Sequence, residues 1–378
     1  MIQSQSDGES LKEIVYTIVS PGLSGLMRPS STLFAGNSGT TMRLVSGLLA
    51  GRPFRATLDG DESLRQRPMG RVLQPLASMG AEVIFAKREN YAPFSIAGGK
   101  LKGGHFVLPV ASAQVETALL LAGLQAQGET VVDLPCPVRD HTRRLFKYMQ
   151  IPFESGGDLN MSVCCLTAAP PPFSLTVPAD ISSAAFFMVA AACLPDSHIL
   201  LRQVGLNPGR TLVLDVLMRM GADIEIVNRG DLSGEPTGDI LVRGGRQLHG
   251  TTIEGDTIAS GIDEIPALAL AGAFCEGTFC VRDAAELRVK ESDRLAATVN
   301  NLHAAGAIVR ELADGFEIRG TGGLAGGSSW KSYADHRLAM TGVIASLLCQ
   351  SPLSIDDTAC VAVSYPSFQE DLLSLTTS

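Results

Sequence analysis

The chain has 378 residues, of which 45% are hydrophobic, and a formal net charge of -9 at pH 7. This length and apolar content suit a globular protein of two or three domains. The acidic balance argues against a general nucleic-acid or acidic-membrane surface, so any basic groups gathered at one place indicate a local site for a small ligand.

The opening residues and the cysteines bear on location. The start, MIQSQSD, lacks the basic-then-apolar pattern of a signal peptide, and the longest apolar run, 184–194, is too short to span a bilayer. The eight cysteines form no CxxC pair and have no metal-type spacing with histidine, so we expect buried, reduced thiols. These features predict a cytoplasmic protein without a bound metal.

The first predicted helix begins within NSGTTMR at 37–43. Its first turn offers free backbone N–H groups, and Gly39 lets a ligand approach that backbone closely. An isolated turn of this kind is more often only a helix cap. Before about Leu33 the chain offers only strand-like and loop-like material, so we expect one repeat of the fold to be cut part-way through.

A second cluster of charge follows at 60–69, GDESLRQRPM. Arg67 precedes a proline, which has a fixed φ, so its guanidinium extends from a stiff backbone. An ordinary surface turn is an equally good interpretation of this segment.

Three segments share a small-residue, Gly, Ala pattern followed by alternating apolar residues: MGAEV at 79–83, MGADI at 220–224 and AGAIV at 305–309. A degenerate copy lies at 149–151. Each repeat alternates helices with short strands, which predicts α/β architecture with helices packed on small sheets. The prolines of AAPPP at 168–172 indicate a linker, so we expect a first domain at 1–172 and a second at 173–378.

Polar or basic residues recur where further helices are expected to begin. These stretches are SAQ at 112–114, RDHT at 139–142, DISS at 180–183, DE at 263–264 and DHR at 335–337. Several carry a charge that capping does not require. Asp263 could still be a plain helix cap.

KESDR at 290–294 places two cations around the start of a helix that Ser292 could cap and Gly306 could end. A helix amino end already carries partial positive charge, so Lys290 and Arg294 beside it indicate a bound anion unless they extend into water. Asp263 and Glu291 form the best candidate general acid/base pair.

Together these stretches resemble the 5-enolpyruvylshikimate-3-phosphate synthase family, carboxyvinyltransferases of the shikimate pathway for aromatic amino acids. The resemblance is collinear from about Asn37 to Pro366. It implies two domains of repeated βαβαββ units with a ligand cleft between them. It also implies transfer of the enolpyruvyl group of phosphoenolpyruvate to the 5-hydroxyl of shikimate 3-phosphate, with release of phosphate and no metal or organic cofactor.

The resemblance also implies roles for particular residues. The phosphoenolpyruvate ligands would be Gly39, Arg67, Gln114, Arg294 and Arg337. The shikimate 3-phosphate ligands would be Ser112, Ala113, Gln114, Arg139, Asp263, Glu286 and Lys290. Asp263 would be the base at the 5-hydroxyl, and Glu291 with Lys290 would handle the proton at the methylene. We also expect a monomer with small-molecule partners only, neither nucleic acid nor membrane. By the resemblance, glyphosate would compete with phosphoenolpyruvate.

Two departures from the family pattern leave alternatives open. Family members carry an early Pro-Gly-Asp-Lys-Ser stretch followed by arginine, whereas the nearest string here is PGLS at 21–24. Ser364 stands where many relatives have lysine. One alternative is therefore a truncated, non-catalytic remnant of the family. The other is UDP-N-acetylglucosamine enolpyruvyltransferase, which shares the fold but not the KESDR and DHR stretches.

Overall fold

The computed structural model describes residues 2–6, 14–20 and 22–376; Met1, Asp7 and Pro21, which the sequence interpretation used, lie outside them. Within the described residues the α-helices are α1 Gly39–Ala50, α2 Glu62–Arg65, α3 Gly70–Ser78, α4 Ala113–Gly123, α5 His141–Tyr148, α6 Ile181–Cys193, α7 Leu212–Arg219, α8 Ile258–Gly261, α9 Ile265–Phe274, α10 Arg294–Ala304, α11 His336–Leu348 and α12 Phe368–Thr376.

The strands of the same residues are short. They are β1 Ile2–Ser6, β2 Ile14–Ile18, β3 Leu33–Phe34, β4 Arg55–Asp59, β5 Glu82–Phe85, β6 Phe94–Ala97, β7 His105–Val107, β8 Thr130–Asp133, β9 Asn160–Val163, β10 His198–Gly205, β11 Asp223–Leu232, β12 Glu235–Arg243, β13 Thr252–Ile253, β14 Glu276–Val281, β15 Ile308–Glu311, β16 Phe316–Thr321, β17 Ser329–Trp330 and β18 Ser354–Ile355.

Two four-stranded sheets have the same topology, with strand orders β3-β4-β6-β5 and β13-β14-β16-β15. In each, the first pair of strands is parallel and the other pairs are antiparallel. A parallel pair needs a crossover, which a helix supplies, whereas the closing antiparallel pair needs only a short turn. The chain therefore follows a βαβαββ path in both places, which confirms the repeated α/β architecture.

The repeated glycine of the sequence pattern has one structural role. Gly80, Gly221 and Gly306 follow α3, α7 and α10 and have φ values of 111°, 94° and 98°. This left-handed backbone ends a helix at little cost only when the residue lacks a Cβ. Gln150, in the degenerate copy after α5, has a φ of 58°. The same turn thus leads from helix to strand in successive repeats.

The chain forms two compact units. The first contains residues up to Phe106 with 114–131 and 162–171; the second contains 107–113, 132–161 and everything from Pro172 onward. The change of unit between 171 and 172 falls in the proline stretch. Unlike the continuous division expected at 172, the segments 107–113 and 132–161 group with the second unit.

The core of the second unit is built on α6, α9 and α11, which pack against one another. Their side chains are buried on most faces, as expected of helices that are apolar all round. Gly255–Phe274 is long and apolar enough to cross a membrane, but 72% of that window is buried inside the protein. Burial of this kind is typical of a core helix.

All eight cysteines are free, but the expectation that they are all buried is wrong. Cys275 and Cys280 are buried, whereas Cys164 and Cys165 are exposed in the segment after β9. That segment is itself neither helix nor strand. An apolar residue type in a loop therefore gave a misleading indication of burial.

Candidate functional site

Asp263 lies among basic side chains at the amino end of α9. Its carboxylate is 3.0 Å from Nη1 of Arg294, 3.4 Å from Nη2 of Arg139 and 3.6 Å from Nζ of Lys290. Burial alone would raise the pKa of Asp263, but Arg337, Lys290, Arg294 and Arg139 together hold it well below its ordinary value. The carboxylate is therefore ionised in the ligand-free protein.

Arg294 is the centre of the acidic half of this site, and its side chain is 1% exposed. Nε and Nη2 donate to the two carboxylate oxygens of Asp335 at 2.7 and 3.2 Å, and Nη2 lies 2.5 Å from Glu291. Burial disfavours the charge of Arg294, but Asp335, Glu291 and Asp263 outweigh it and raise its pKa. For Arg294, the anions expected beside KESDR are thus carboxylates of the protein itself: Asp335, Glu291 and Asp263.

The helix after KESDR begins one residue later than expected. Asp293, not Ser292, is its cap and accepts from the backbone N–H of Ala296 at 3.0 Å. The hydroxyl of Ser292 instead donates to Asp335 at 3.1 Å. Both residue types can cap a helix, and the bond from Ser292 to the distant Asp335 has no local sequence signal.

Arg337 opens α11 and faces the same cluster. Its Nη1 donates to the carbonyl oxygen of Asp263 at 3.3 Å and lies 3.7 Å from Oε1 of Glu264. Among the described residues no hydrogen-bond partner is found for its Nε or Nη2. Two donor nitrogens of one planar guanidinium can thus bind an incoming carboxylate or phosphate.

The two residues that follow Arg139, Asp140 and His141, belong to a polar network with Asn207 and Glu235. Asn207 Nδ2 donates to Asp140 at 2.6 Å and to Glu235 at 3.1 Å, and Glu235 lies 2.7 Å from Nδ1 of His141. Burial opposes ionisation of Asp140 and Glu235, yet these hydrogen bonds and nearby cations lower the pKa of both. The RDHT stretch is therefore held from the loop after β10 and from β12.

In the first unit, Arg67 contacts the loop before α1. Its Nη2 donates to Oδ1 of Asn37 at 2.7 Å and to Ser63 at 3.3 Å. Gln114 donates to Thr40 and accepts from Arg43, each at 2.6 Å. The structure thus places Arg67 and Gln114 beside the amino end of α1, where Ser38 is the cap.

Gly39 is the first residue of α1 and lies against two guanidinium groups. A Cβ added there would be 2.9 Å from Nη1 of Arg43 and 3.6 Å from Nη1 of Arg67. The distance of 2.9 Å to Arg43 is shorter than an ordinary contact, so a side-chain methyl at position 39 would displace the Arg43 guanidinium.

The other expected ligands lie at the start of α4 and before Lys290. Ser112 and Ala113 stand at the start of α4 and are partly buried. Glu286 is exposed on the 3₁₀ turn Ala285–Val289, which precedes Lys290.

Sequence reasoning assigned no role to three residues of the second-unit cluster: Ser182, Arg210 and Glu264. Arg210 Nη2 donates to Ser182 at 2.5 Å and to Asp180 at 2.8 Å, and Ser182 donates to Glu264. The motifs quoted for Asp180 and Asp263 include two of these residues. Arg210, which ends the turn NPGR at 207–210, was the only one without a quoted motif.

Comparison with known proteins agrees with the motifs. The family model described as EPSP synthase (3-phosphoshikimate 1-carboxyvinyltransferase) matches residues 7–372. A protein of Synechococcus sp. named 3-phosphoshikimate 1-carboxyvinyltransferase is 49% identical over 92% of this chain and 78% of its own length. One of the same name from Citrifermentans bemidjiense is 46% identical over 97% and 83%.

Solved structures agree as well. An EPSP synthase from Acinetobacter baumannii superposes with a TM-score of 0.83 at 40% identity, covering 97% of this chain and 83% of its own. The enolpyruvyl transferase NikO from Streptomyces tendae has a TM-score of 0.68 at 17% identity, over 88% and 75%, which speaks to fold alone.

The fold is that of an enolpyruvyl transferase. Within that class, the chain belongs to the EPSP synthase family, the 3-phosphoshikimate 1-carboxyvinyltransferases. The resemblance inferred from the motifs is confirmed.

Proposed function

We propose that the cluster around Asp263 binds shikimate 3-phosphate and phosphoenolpyruvate and transfers the enolpyruvyl group to the 5-hydroxyl, releasing phosphate. The observation that carries this proposal is the position of Asp263, whose carboxylate lies within 3.6 Å of Arg139, Lys290 and Arg294 and whose carbonyl oxygen accepts from Arg337. Arginine and lysine suit substrates that carry phosphate and carboxylate groups, since both accept charge-assisted hydrogen bonds.

Asp263 has the role of base at the 5-hydroxyl. Its low pKa makes it a weak base in the ligand-free protein. Anionic substrates that pair with Arg337, Lys290 and Arg139 would partly cancel the field of these cations and raise the pKa of Asp263. Substrate binding would thereby bring its basicity closer to what proton abstraction needs.

The remaining assignments follow the family motifs. Arg337, whose Nε and Nη2 have no hydrogen-bond partner among the described residues, and Arg294 are proposed ligands of phosphoenolpyruvate, together with Arg67, Gln114 and the backbone of Gly39. Ser112, Ala113, Gln114, Arg139, Asp263, Glu286 and Lys290 are the proposed ligands of shikimate 3-phosphate. Glu291 with Lys290 has the role of handling the proton at the methylene carbon.

The test is phosphate release by the purified chain from phosphoenolpyruvate and shikimate 3-phosphate. We expect the parent chain to release phosphate and Asp263→Asn to lower kcat at least about 100-fold. The exposed control Asp158→Asn should leave kcat unchanged. Release with UDP-N-acetylglucosamine as the acceptor instead would identify the sister reaction. No release with either acceptor would favour the non-catalytic remnant, and calorimetry with shikimate 3-phosphate would show whether binding survives.

We also propose that the protein is a cytoplasmic monomer, inhibited by glyphosate, without nucleic-acid or membrane partners. The net charge of -9 supports the absence of such partners, since both surfaces are anionic.

A further inference from the structure

Glu264 is a buried carboxylate next to the proposed base. It ends the 3₁₀ turn Ile262–Glu264, and its side chain is 0% exposed. Burying a charged group costs free energy unless it is paired or hydrogen-bonded. The partners of its Oε1 are the hydroxyl of Ser182 and, at 3.7 Å, Nη1 of Arg337. Glu264 thus joins the core to a proposed substrate ligand.

Ser182 is oriented by a second arginine. Nη2 of Arg210 donates to its oxygen at 2.5 Å and to Asp180 at 2.8 Å. A guanidinium can only donate, so Ser182 accepts from Arg210 and directs its own proton to Glu264. The hydrogen bonds therefore run in one direction, from Arg210 through Ser182 to the Glu264 carboxylate.

The geometry leaves Arg337 fixed on one side and open on the other. Both of its side-chain contacts in the described part of the chain, with Asp263 and Glu264, are made by Nη1. The side chain is 15% exposed. A guanidinium held through one nitrogen can present its other edge in a fixed orientation, which reduces the entropy that a bidentate ligand must remove.

We propose that Glu264 and Ser182 are positioning residues, which hold the guanidinium of Arg337 in the orientation that binds phosphoenolpyruvate. This inference rests on the proposed function, which assigns Arg337 to that substrate. Glu264 and Ser182 act through Arg337 and do not contact substrate themselves.

The kinetic test uses Glu264→Gln, Glu264→Asp and Ser182→Ala. We expect Glu264→Gln to raise the KM for phosphoenolpyruvate about tenfold, because Arg337 loses its charged partner. The KM for shikimate 3-phosphate should stay within about twofold. Glu264→Asp keeps the charge and should restore part of the loss, and Ser182→Ala should raise the same KM about threefold.

Matched controls come from the first unit, where Ser162 donates to Glu129 at 2.7 Å. Ser162→Ala removes a bond of the same kind, and Glu129→Gln removes the charge of its acceptor. Both variants should leave both KM values unchanged. An unchanged or lowered KM for phosphoenolpyruvate in Glu264→Gln would overturn the proposal, because removing a nearby negative charge would then matter more than orientation. The proposal would also be overturned if Glu264→Gln and Glu264→Asp raised the KM for phosphoenolpyruvate equally and lowered the thermal midpoint to the same extent, because the effect would then be one of stability.

A readout independent of turnover separates the two proposals. The Nε–Hε NMR signal of Arg337, assigned with Arg337→Lys, should be sharp in the parent chain and broadened in Glu264→Gln. If the parent chain releases no phosphate, the proposed function fails while this comparison still tests positioning. An unchanged signal would contradict the inference. If Glu264→Gln does not fold, Ser182→Ala, which keeps every charge, undergoes the same measurement.

Discussion

Arg294 is a buried cation among three carboxylates, those of Asp335, Asp263 and Glu291. Removing one partner of such a group leaves an uncompensated charge in the interior, which typically costs about 3 to 5 kcal/mol. The network therefore makes the site sensitive to any single substitution within it.

We expect Asp335→Asn to lower the free energy of unfolding at pH 7 by about 3 kcal/mol. Burial opposes the charge of Asp335, but Arg294 lowers its pKa below the ordinary value of 3.8. A lowered folded-state pKa contributes stability above the unfolded pKa, and that contribution is lost as the pH falls through the folded-state pKa. Urea titrations from pH 7 to pH 3 should show the parent and variant converging below about pH 4. A constant difference across that range would contradict this prediction.

Gly39→Ala is expected to weaken inhibition by glyphosate more than it weakens use of phosphoenolpyruvate. The added methyl lies 2.9 Å from Arg43 and narrows the space beside Arg67. An inhibitor larger than the substrate would lose more from that narrowing. The measurement is inhibition against phosphoenolpyruvate concentration, with Gly99→Ala as control, since a Cβ there meets nothing within 4 Å. Equal inhibition of the parent and of Gly39→Ala would count against the placement of Gly39 in the phosphoenolpyruvate site.

The chemical character of the site could be predicted from the sequence, but its hydrogen bonding could not. Arg139, Asp263, Lys290 and Arg294 stood in recognisable stretches, and the structure brings them together. The bond from Ser182 to Glu264 joins positions 82 residues apart. Local spacing carries no information about such a pair, because tertiary packing brings it together.

At the level of elements, many polar residues of the proposed site lie at the amino ends of helices. Ser38, Asp180, Asp293 and Asp335 cap α1, α6, α10 and α11. These starts could be predicted because capping residues have a local signature. The choice between two neighbouring capping candidates could not be predicted, because both Ser292 and Asp293 can cap a helix and only Asp293 caps α10.

Ser38→Ala is expected to lower the free energy of unfolding by about 1 kcal/mol, because the backbone N–H of Thr41 loses its acceptor. Ser38→Asp should retain most of the stability, since a carboxylate also caps and favours the helix dipole. Denaturant unfolding measures both. A loss for Asp as large as that for Ala would show that the hydroxyl has a role besides capping.

Across the whole molecule, repetition accounts for how much of the fold was predictable. The glycine turns at Gly80, Gly221 and Gly306 marked equivalent points of successive repeats. The grouping of 107–113 and 132–161 with the second unit was not predictable, because it depends on which faces pack and not on order along the chain.

Shikimate 3-phosphate is expected to stabilise the protein against heat. At about 100 times its dissociation constant, a ligand that binds only the folded state adds about 2.7 kcal/mol. Lys290→Ala should weaken this response, because Lys290 lies in the cationic cluster. The exposed control Lys100→Ala should respond like the parent chain. Thermal midpoints over a ligand series measure the effect, and an undiminished response in Lys290→Ala would remove Lys290 from the site.

The exposed pair Cys164 and Cys165 has a practical consequence. Exposed thiols react with maleimides and oxidise in air far more readily than shielded ones. During storage without reductant, these two positions would crosslink molecules and mimic a natural dimer on a sizing column. Replacing both with serine would remove that artefact, and restoring one would provide an exposed attachment point for a fluorescent dye.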